Sequence, residues 1–591
     1  MRNVNFKKTA LAASLALFAL SASAHSVPTI QDLMAQASVA SPVTIYPAKA
    51  VITMDKELST AEAVAVINDK IVAVGSLSDV KDKVGHKEVL IDNRFKNLVI
   101  VPGLIDQHIH PVLSALTMTA EIIAIEDWVL PTGVVKGVSN RADYLKRLAA
   151  ADKKIADPDE LLLTWGFHHY FHGILTRSDL DKINSRRPII VWHRSAHELI
   201  LNSAALEKYG IDEAYVKAQN ESAQKQMNLA EGHFWEQGGL AILPRAGKAI
   251  ANPERLQEGL EFTEAYLHAN GVTTSCEPGG IVSYPMQMAQ NAVLSDSLTP
   301  FRFYYIPDGK TMATTHLKDG KMIAETEKML SWGEGHTEFL PKQVKLFADG
   351  AIFSQLMKMK DGYLDGHEGE WLLDPDIFAE AFRQYWEAGY QIHIHENGDA
   401  GLQLVIDVLK ANMARLPRYD HRTTVVHFGF ADEKQVKELK ELGALVSANP
   451  YYTVALADKY SKSGVGPKRA NEMVRLGDAL KEGISISLHS DMPMAPAQPL
   501  FLMWSAVNRT TPSGRVAGPN QRISATDALK AVTIDAAYSL RLENKIGSIE
   551  PGKDANFTIL EANPLTVDPM TIKDIPIWGT VLEGRLQPIK K

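Results

Sequence analysis

Tyr390-Gln-Ile-His-Ile-His395 is an apolar strand run that ends in a polar residue, and the same pattern recurs on both sides of it. Val344 to Asp349 precedes it, and Thr423 to His427, Ala444 to Asn449 and Ile484 to Asp491 follow. Amphipathic helices lie between these runs: Leu402, Val405, Ile406 and Leu409 mark one helical face, and Val436, Leu439 and Leu442 another, which Gly443 stops. Repeated strand-helix units imply an α/β protein with a parallel sheet, and enough of them imply a closed (β/α)8 barrel. Barrel chemistry sits at the C-terminal ends of strands, and His395, His427 and Asp491 stand at such ends.

Upstream, Val101-Pro-Gly-Leu-Ile-Asp106-Gln-His108-Ile-His110-Pro111 continues an apolar run that begins at Leu98. Successive strand side chains alternate between faces, so His108 and His110 point the same way. Two imidazoles on a rigid strand end can chelate a cation, because the backbone fixes their separation. An isolated His-x-His is also compatible with a surface pair that binds nothing. Four histidines and one aspartate at the strand ends of one barrel shift the balance towards a site.

The ends of the chain have a different character. Val43-Thr-Ile-Tyr, Ala63-Val-Ala-Val-Ile, Ile71-Val-Ala-Val and Glu88-Val-Leu-Ile read as short strands, with turns at Asn68-Asp69 and Gly75. Ile546 to Leu560 reads the same way, so residues 25–100 and 541–591 are expected to pair into one small β-sandwich module. The barrel is assigned to 101–540, with an inserted subdomain within about 120–340. Helices are expected over Arg141 to Lys154, capped by Asn140, and over Asn252 to Ala269, stopped at Asn270-Gly271. The strand-like runs starting at Leu161, Pro188 and Val272 lie among them.

The 591 residues exceed one ordinary core, and 45% apolar with 22% charged residues is a globular composition. A formal charge of -8 gives no basic footprint for nucleic acid. Arg2, Lys7 and Lys8 precede an apolar run from Thr9 to Leu20 and then Ser-Ala22-Ser-Ala24, the pattern of a secretory signal over 1–24 with a cut after Ala24. That run is too short to span a bilayer, no second one of spanning length follows, and a periplasmic or secreted protein is expected. Cys276 is the only cysteine, so no internal disulfide forms.

Taken together, these residues resemble the amidohydrolase superfamily, and within it the family-3 branch of YtcJ-like hydrolases. Pro102-Gly103-Leu104-Ile105-Asp106-x-His108-x-His110 is similar to the superfamily's first-strand motif, and His395-Glu-Asn-Gly398-Asp399 to its fifth-strand motif. Val426-His427 matches the sixth-strand position, Ser490-Asp491-Met-Pro493 the eighth, and Gly547-Ser-Ile-Glu-Pro551-Gly552-Lys553 the C-terminal sheet signature. The resemblance implies His108, His110, His395 and His427 as metal ligands, and Asp491 as ligand and proton shuttle. It also aligns Val344-Lys345-Leu-Phe-Ala-Asp349-Gly350 with the fourth strand, which makes Lys345 a candidate for N-carboxylation. A carbamate there supplies two anionic oxygens to bridge two cations, whereas a mononuclear site needs only a plain lysine. One or two zinc ions fit His-plus-carboxylate ligation, with manganese or another divalent ion as the alternative.

Other positions stay open. Glu277 stands where the branch often has Asp, as a second-layer group or a rim carboxylate. His393 and His489 each lie two residues before a site residue and so share its face, which makes them, with Glu277, candidates to line the substrate pocket or support a ligand, hydrogen-bonded packing being the alternative. His197, in a segment where Ala196 replaces the branch's Gly, is a substrate-binding candidate; Asn556 replaces a common Asp at a structural position. Trp165, Phe167, His168, His169, Tyr170 and Phe171 either line a pocket or pack the insert, and packing is the favoured reading. The resemblance implies a hydrolase acting on a non-peptide carbon-nitrogen bond of a small amide or formamide-like substrate, with homo-oligomerisation undecided. The alternative is a non-catalytic periplasmic sensing or regulatory protein on the same fold; a hinged two-lobed solute-binding protein fits the strand-helix series less well.

Overall fold

The computed structural model describes residues 42–85, 88–280 and 283–589, so the expected leader and its cut after Ala24 lie outside the described residues. Strands from both chain ends join one eight-stranded sheet. Val43–Ile52 pairs antiparallel with Thr60–Ile67, which turns at Asn68-Asp69 to pair with Lys70–Gly75. On its other side Val43–Ile52 meets Val99–Pro102, which pairs in turn with Phe557–Leu560. The period-two alternation serves both faces. Tyr46, Val64 and Val66 pack with Phe557 on one, and Ile45, Ala63 and Ala65 pack with Val80 and Val84 of the helix Leu77–Val84 on the other.

Beyond Pro102 the chain enters parallel structure. Leu104–Asp106, Val272–Pro278 and Arg302–Ile306 are parallel neighbours in a four-stranded sheet, with Thr337–Phe339 at its edge. Gln343–Phe347, Gln391–Glu396, Thr424–His427, Leu445–Ala448 and Ile486–Leu488 form, in that order, a five-stranded parallel sheet. Isolated parallel bridges join the two sheets at both sides, Asp308 with Lys345 and Ile109 with Met492. All six residues of Gln391–Glu396 are buried, as a strand covered on both faces requires.

The helices between these strands follow local signals. Asp399–Arg415 buries Leu402, Val405, Ile406 and Leu409. Glu433–Leu442 starts in a reciprocal cap between Asp432 and Gln435 and ends at Gly443, whose φ of 72° is the left-handed stop that favours glycine. Arg141–Lys154 is capped by Asn140, and Pro253–Ala269 by Asn252. Among the described residues no helix is long and apolar enough to cross a membrane.

The inserted part is a six-stranded sheet whose strands fall within residues 121–235. Leu162–Phe167 and Ile189–His193 run parallel at its centre, and Glu198–Leu201 and His233–Trp235 extend it antiparallel. Val272–Pro278 and Arg302–Ile306 fall inside the 120–340 stretch expected to hold the insertion, yet both pair into the parallel sheet beside Leu104–Asp106. Buried apolar runs look alike in sequence whichever sheet they join, and only the pairing separates them.

Candidate metal centre

The strand ends bring one carboxylate against three imidazoles. Asp491 Oδ1 lies 3.3 Å from His108 Nε2 and 3.3 Å from His110 Nε2, and Oδ2 lies 3.6 Å from His427 Nδ1. Hydrogen bonds from N–H to oxygen run at about 2.7–3.2 Å. Two ligand atoms on a tetrahedral ion with bonds of ~2.0–2.1 Å stand about 3.3 Å apart by geometry. The 3.3 Å contacts of Asp491 with His108 and His110 therefore suit ligands of one cation as well as long hydrogen bonds. His427 and Asp491 hold φ at 77° and 57°, a left-handed conformation that costs side-chain-bearing residues on the order of 1–3 kcal/mol and gathers at functional sites.

A layer of partners orients these groups. His110 Nδ1 is 3.1 Å from Glu277 Oε1, and Glu277 comes from the buried strand Val272–Pro278. His427 Nδ1 is 3.1 Å from His489 Nε2; His489 Nδ1 is 2.9 Å from Ser447 Oγ, to which Gln107 Nε2 also donates. His489 joins His108 and His427 in a group whose ligand atoms lie within 4.8 Å of one another, and His110 and Asp491 form a like group with His108. The ring of His395 is 4.5 Å from that of His427, while its Nε2 accepts an N–H from Asn397 Nδ2 at 3.0 Å.

Lys345 comes from the strand beside that of His395, fully buried, and its Nζ has no hydrogen-bond partner. Burial pushes its ammonium down to about 7, although Asp491 and Asp308 pull the other way. Burial, reinforced by Lys345, also holds His108, His395, His427 and His489 well below the usual imidazole range, so these rings are neutral and free to ligate. For His110 burial acts downward too, but its hydrogen bonds to Asp491 and Glu277 prevail and push it up to about 9.

Two further candidates are held by partners of their own within electrostatic reach of the site, His393 of Lys345, and His197 of His395 and Asp491. His393 bonds Gln343 Oε1 through Nε2 at 2.9 Å, deeper in the strand layer, and His197 in the insert bonds Glu236 Oε2 through Nδ1 at 2.8 Å. Sequence reasoning placed His489 on the site's face but passed over Asn397, Gln107 and Ser447, whose only signal was a place beside or two residues from a strand-end residue. It also missed buried Arg194, which reaches from the insert to donate to Met494 O at 3.0 Å, three residues past Asp491.

A model of the Amidohydrolase family (Amidohydro_3) matches residues 95–587. The putative amidohydrolase YtcJ of Bacillus subtilis is 24% identical over 567 residues, covering 90% of this chain and 97% of that protein. The N-substituted formamide deformylase of Arthrobacter pascens is 22% identical over 558 residues, covering 90% and 96%. Among solved structures, an uncharacterized metal-dependent hydrolase from Pyrococcus horikoshii superposes with a TM-score of 0.67 at 17% identity, over 89% of this chain and 99% of that one.

Proposed function

Since this chain belongs to the amidohydrolase family, we propose that it is a metal-dependent hydrolase that cleaves a carbon-nitrogen bond, other than a peptide bond, in a small amide or formamide-like substrate. The observation that carries this reading is the placement of Asp491 Oδ1 at 3.3 Å from both His108 Nε2 and His110 Nε2. Buried His108 Nδ1 and Lys345 Nζ have no partner, and a donor set of imidazole nitrogens and carboxylate oxygen suits zinc. His108, His110, His427 and Asp491 would hold the ion, with His395, His489 and Lys345 at its margin. A second ion calls for a carbamate on Lys345, which the lowered basicity of that amine favours. When bound, the metal supplies Lewis acidity and lowers the pKa of water towards neutrality.

The protein's own groups do the rest. Asp491 takes a proton from the attacking water and returns it to the leaving nitrogen. Glu277 holds the His110 ring through Nδ1, and Ser447 orients His489, whose Nε2 meets His427 Nδ1. With the edge strand Thr337–Phe339 set aside, we read the eight remaining strands of the two parallel sheets, joined by bridges at both sides, as a (β/α)8 barrel, and the sheet built from both chain ends as its sandwich-like companion module. The residues before Ala24 support a periplasmic location.

Metal analysis of purified protein, with a panel of N-formyl and N-acyl amines, tests the reading. Bound divalent metal and turnover that disappears on chelation and returns on reloading is the expected result. A metal-free protein inert to the whole panel overturns it in favour of a sensing or regulatory role.

A further inference from the structure

Three more imidazoles converge outside the strand-end site. His168 caps the short helix His169–His172, His169 opens that helix, and His193 ends the strand Ile189–His193 of the inserted sheet. One ring nitrogen from each lies within 4.8 Å of the other two. His169 Nδ1 and His193 Nε2 are 3.3 Å apart, the separation found between Asp491 Oδ1 and His108 Nε2 and the one a tetrahedral ion at ~2.0–2.1 Å imposes on its ligands. His168 is 0% exposed and its Nε2 has no hydrogen-bond partner, which a buried polar atom rarely lacks.

The surroundings have the make-up of a metal site. His193 Nδ1 lies 2.9 Å from Ser195 Oγ and 3.5 Å from Glu198 Oε1, and Glu198 Oε2 is held by His233 Nε2 at 2.8 Å. A carboxylate behind a ligating histidine fixes the ring and raises its basicity. Burial lowers the pKa of all three rings, that of His193 to about 3, so each is neutral. Ligation through Nε2 needs the ring proton on Nδ1. For His193, Ser195 Oγ and Glu198 accept it; for His168, ligation displaces the Tyr170 amide that now donates to Nδ1 at a long 3.3 Å. The Ser195 amide donating to His193 Nδ1 at 3.1 Å gives way likewise.

We propose that His168, His169 and His193 form a second metal site, selective for zinc or a similar divalent transition ion and open to water at its fourth position. The site sits at a seam. Tyr170 Oη donates to Gln355 Oε1 at 2.8 Å, and the His168 ring is 6.3 Å from Phe353, so an ion here locks the insert onto the segment that follows the Lys345 strand. Phe353 stacks edge-on to Tyr452 at 5.5 Å, and Tyr452 is 6.5 Å from His427, so the two centres are separate but share a wall.

The test uses full-length protein, stripped with chelator and reloaded with Zn2+ or Co2+ alone, and it reads metal content rather than turnover. In a His108→Ala/His110→Ala background, one equivalent of metal should persist. Adding His168→Phe and His193→Phe should abolish it. Because a buried substitution can unfold the insert, His169→Ala, at a ring only partly buried, is the second variant. In the same His108→Ala/His110→Ala background it should weaken metal binding at least ~10-fold and erase the remaining tetrahedral cobalt absorption while leaving the circular dichroism unchanged. Metal content and cobalt spectra indifferent to these histidines, in either background, overturn the proposal and leave the cluster as buried N–H donors to water. The readout is the difference the three histidines make, so it stands or falls independently of the strand-end site's chemistry.

Discussion

His110 Nδ1 and Glu277 Oε1 are 3.1 Å apart, and the Glu277 side chain is only 4% exposed. The carboxylate sits behind the ring, with the other ring nitrogen turned to Asp491. Glu277→Gln keeps the volume and removes the charge, so the ring becomes a poorer ligand while the fold is retained. Metal affinity, measured by competition with a chromogenic chelator, should fall by about 10–100-fold. Unchanged affinity would show that Glu277 is a bystander on the strand.

Asp491→Asn is the corresponding test of the proton path. The amide keeps the shape and one acceptor oxygen but cannot take up a proton at neutral pH. Turnover of whichever formyl or acyl amine proves to be a substrate should drop by about 100- to 10,000-fold, with the thermal transition close to wild type. Full activity in this variant would remove Asp491 from the mechanism.

His395, His427 and Asp491 were legible in the sequence because each ends an apolar run, and strand alternation placed His110 with His108. Glu277 was visible as a carboxylate at a strand end but not as a partner of His110, since that contact joins positions 167 residues apart. The pairing of Phe167 with His193 in the inserted sheet sets His168 beside His193, and no local pattern announces it, so an aromatic stretch read as packing. The same limit hid where the parallel sheet resumes: Val272–Pro278 declares itself as a strand, but its neighbour Leu104–Asp106 lies far upstream. Periodicity encodes which face a residue takes; long-range pairing encodes which residues meet.

Gly398, in the His395-Glu-Asn-Gly398-Asp399 motif, is fixed by close approach. A Cβ there would stand 2.0 Å from Lys358 O and 2.8 Å from Asp349 Oδ2, while the Gly398 amide donates to that same oxygen at 2.9 Å. Asp349 also accepts from the amides of Asn397 and Lys358, so the clash falls on the knot that ends the His395 strand. Gly398→Ala should destabilise the protein by about 1–3 kcal/mol, lower its thermal midpoint and reduce metal occupancy. Wild-type stability and occupancy would mean that the Lys358 backbone yields freely.

Lys345 carries a pH dependence whose sign can be worked out. Burial brings its folded-state pKa to about 7, against about 10.4 in an unfolded chain. Between these values the unfolded chain binds a proton that the metal-free folded protein does not, so Lys345 makes stability rise with pH across that window. Below about pH 7 both states are charged and the penalty of a buried, unpartnered ammonium is present in full. Lys345→Met removes the penalty and its pH dependence. In chelator-stripped protein the variant should therefore melt above wild type at about pH 6, with the margin shrinking steadily towards about pH 10. With metal and bicarbonate restored the order should reverse if Lys345 is carboxylated, because only the lysine form gains a bridging ligand. A margin that stays flat from pH 6 to pH 10 would show that the amine keeps its proton through contacts that the buried strand does not offer.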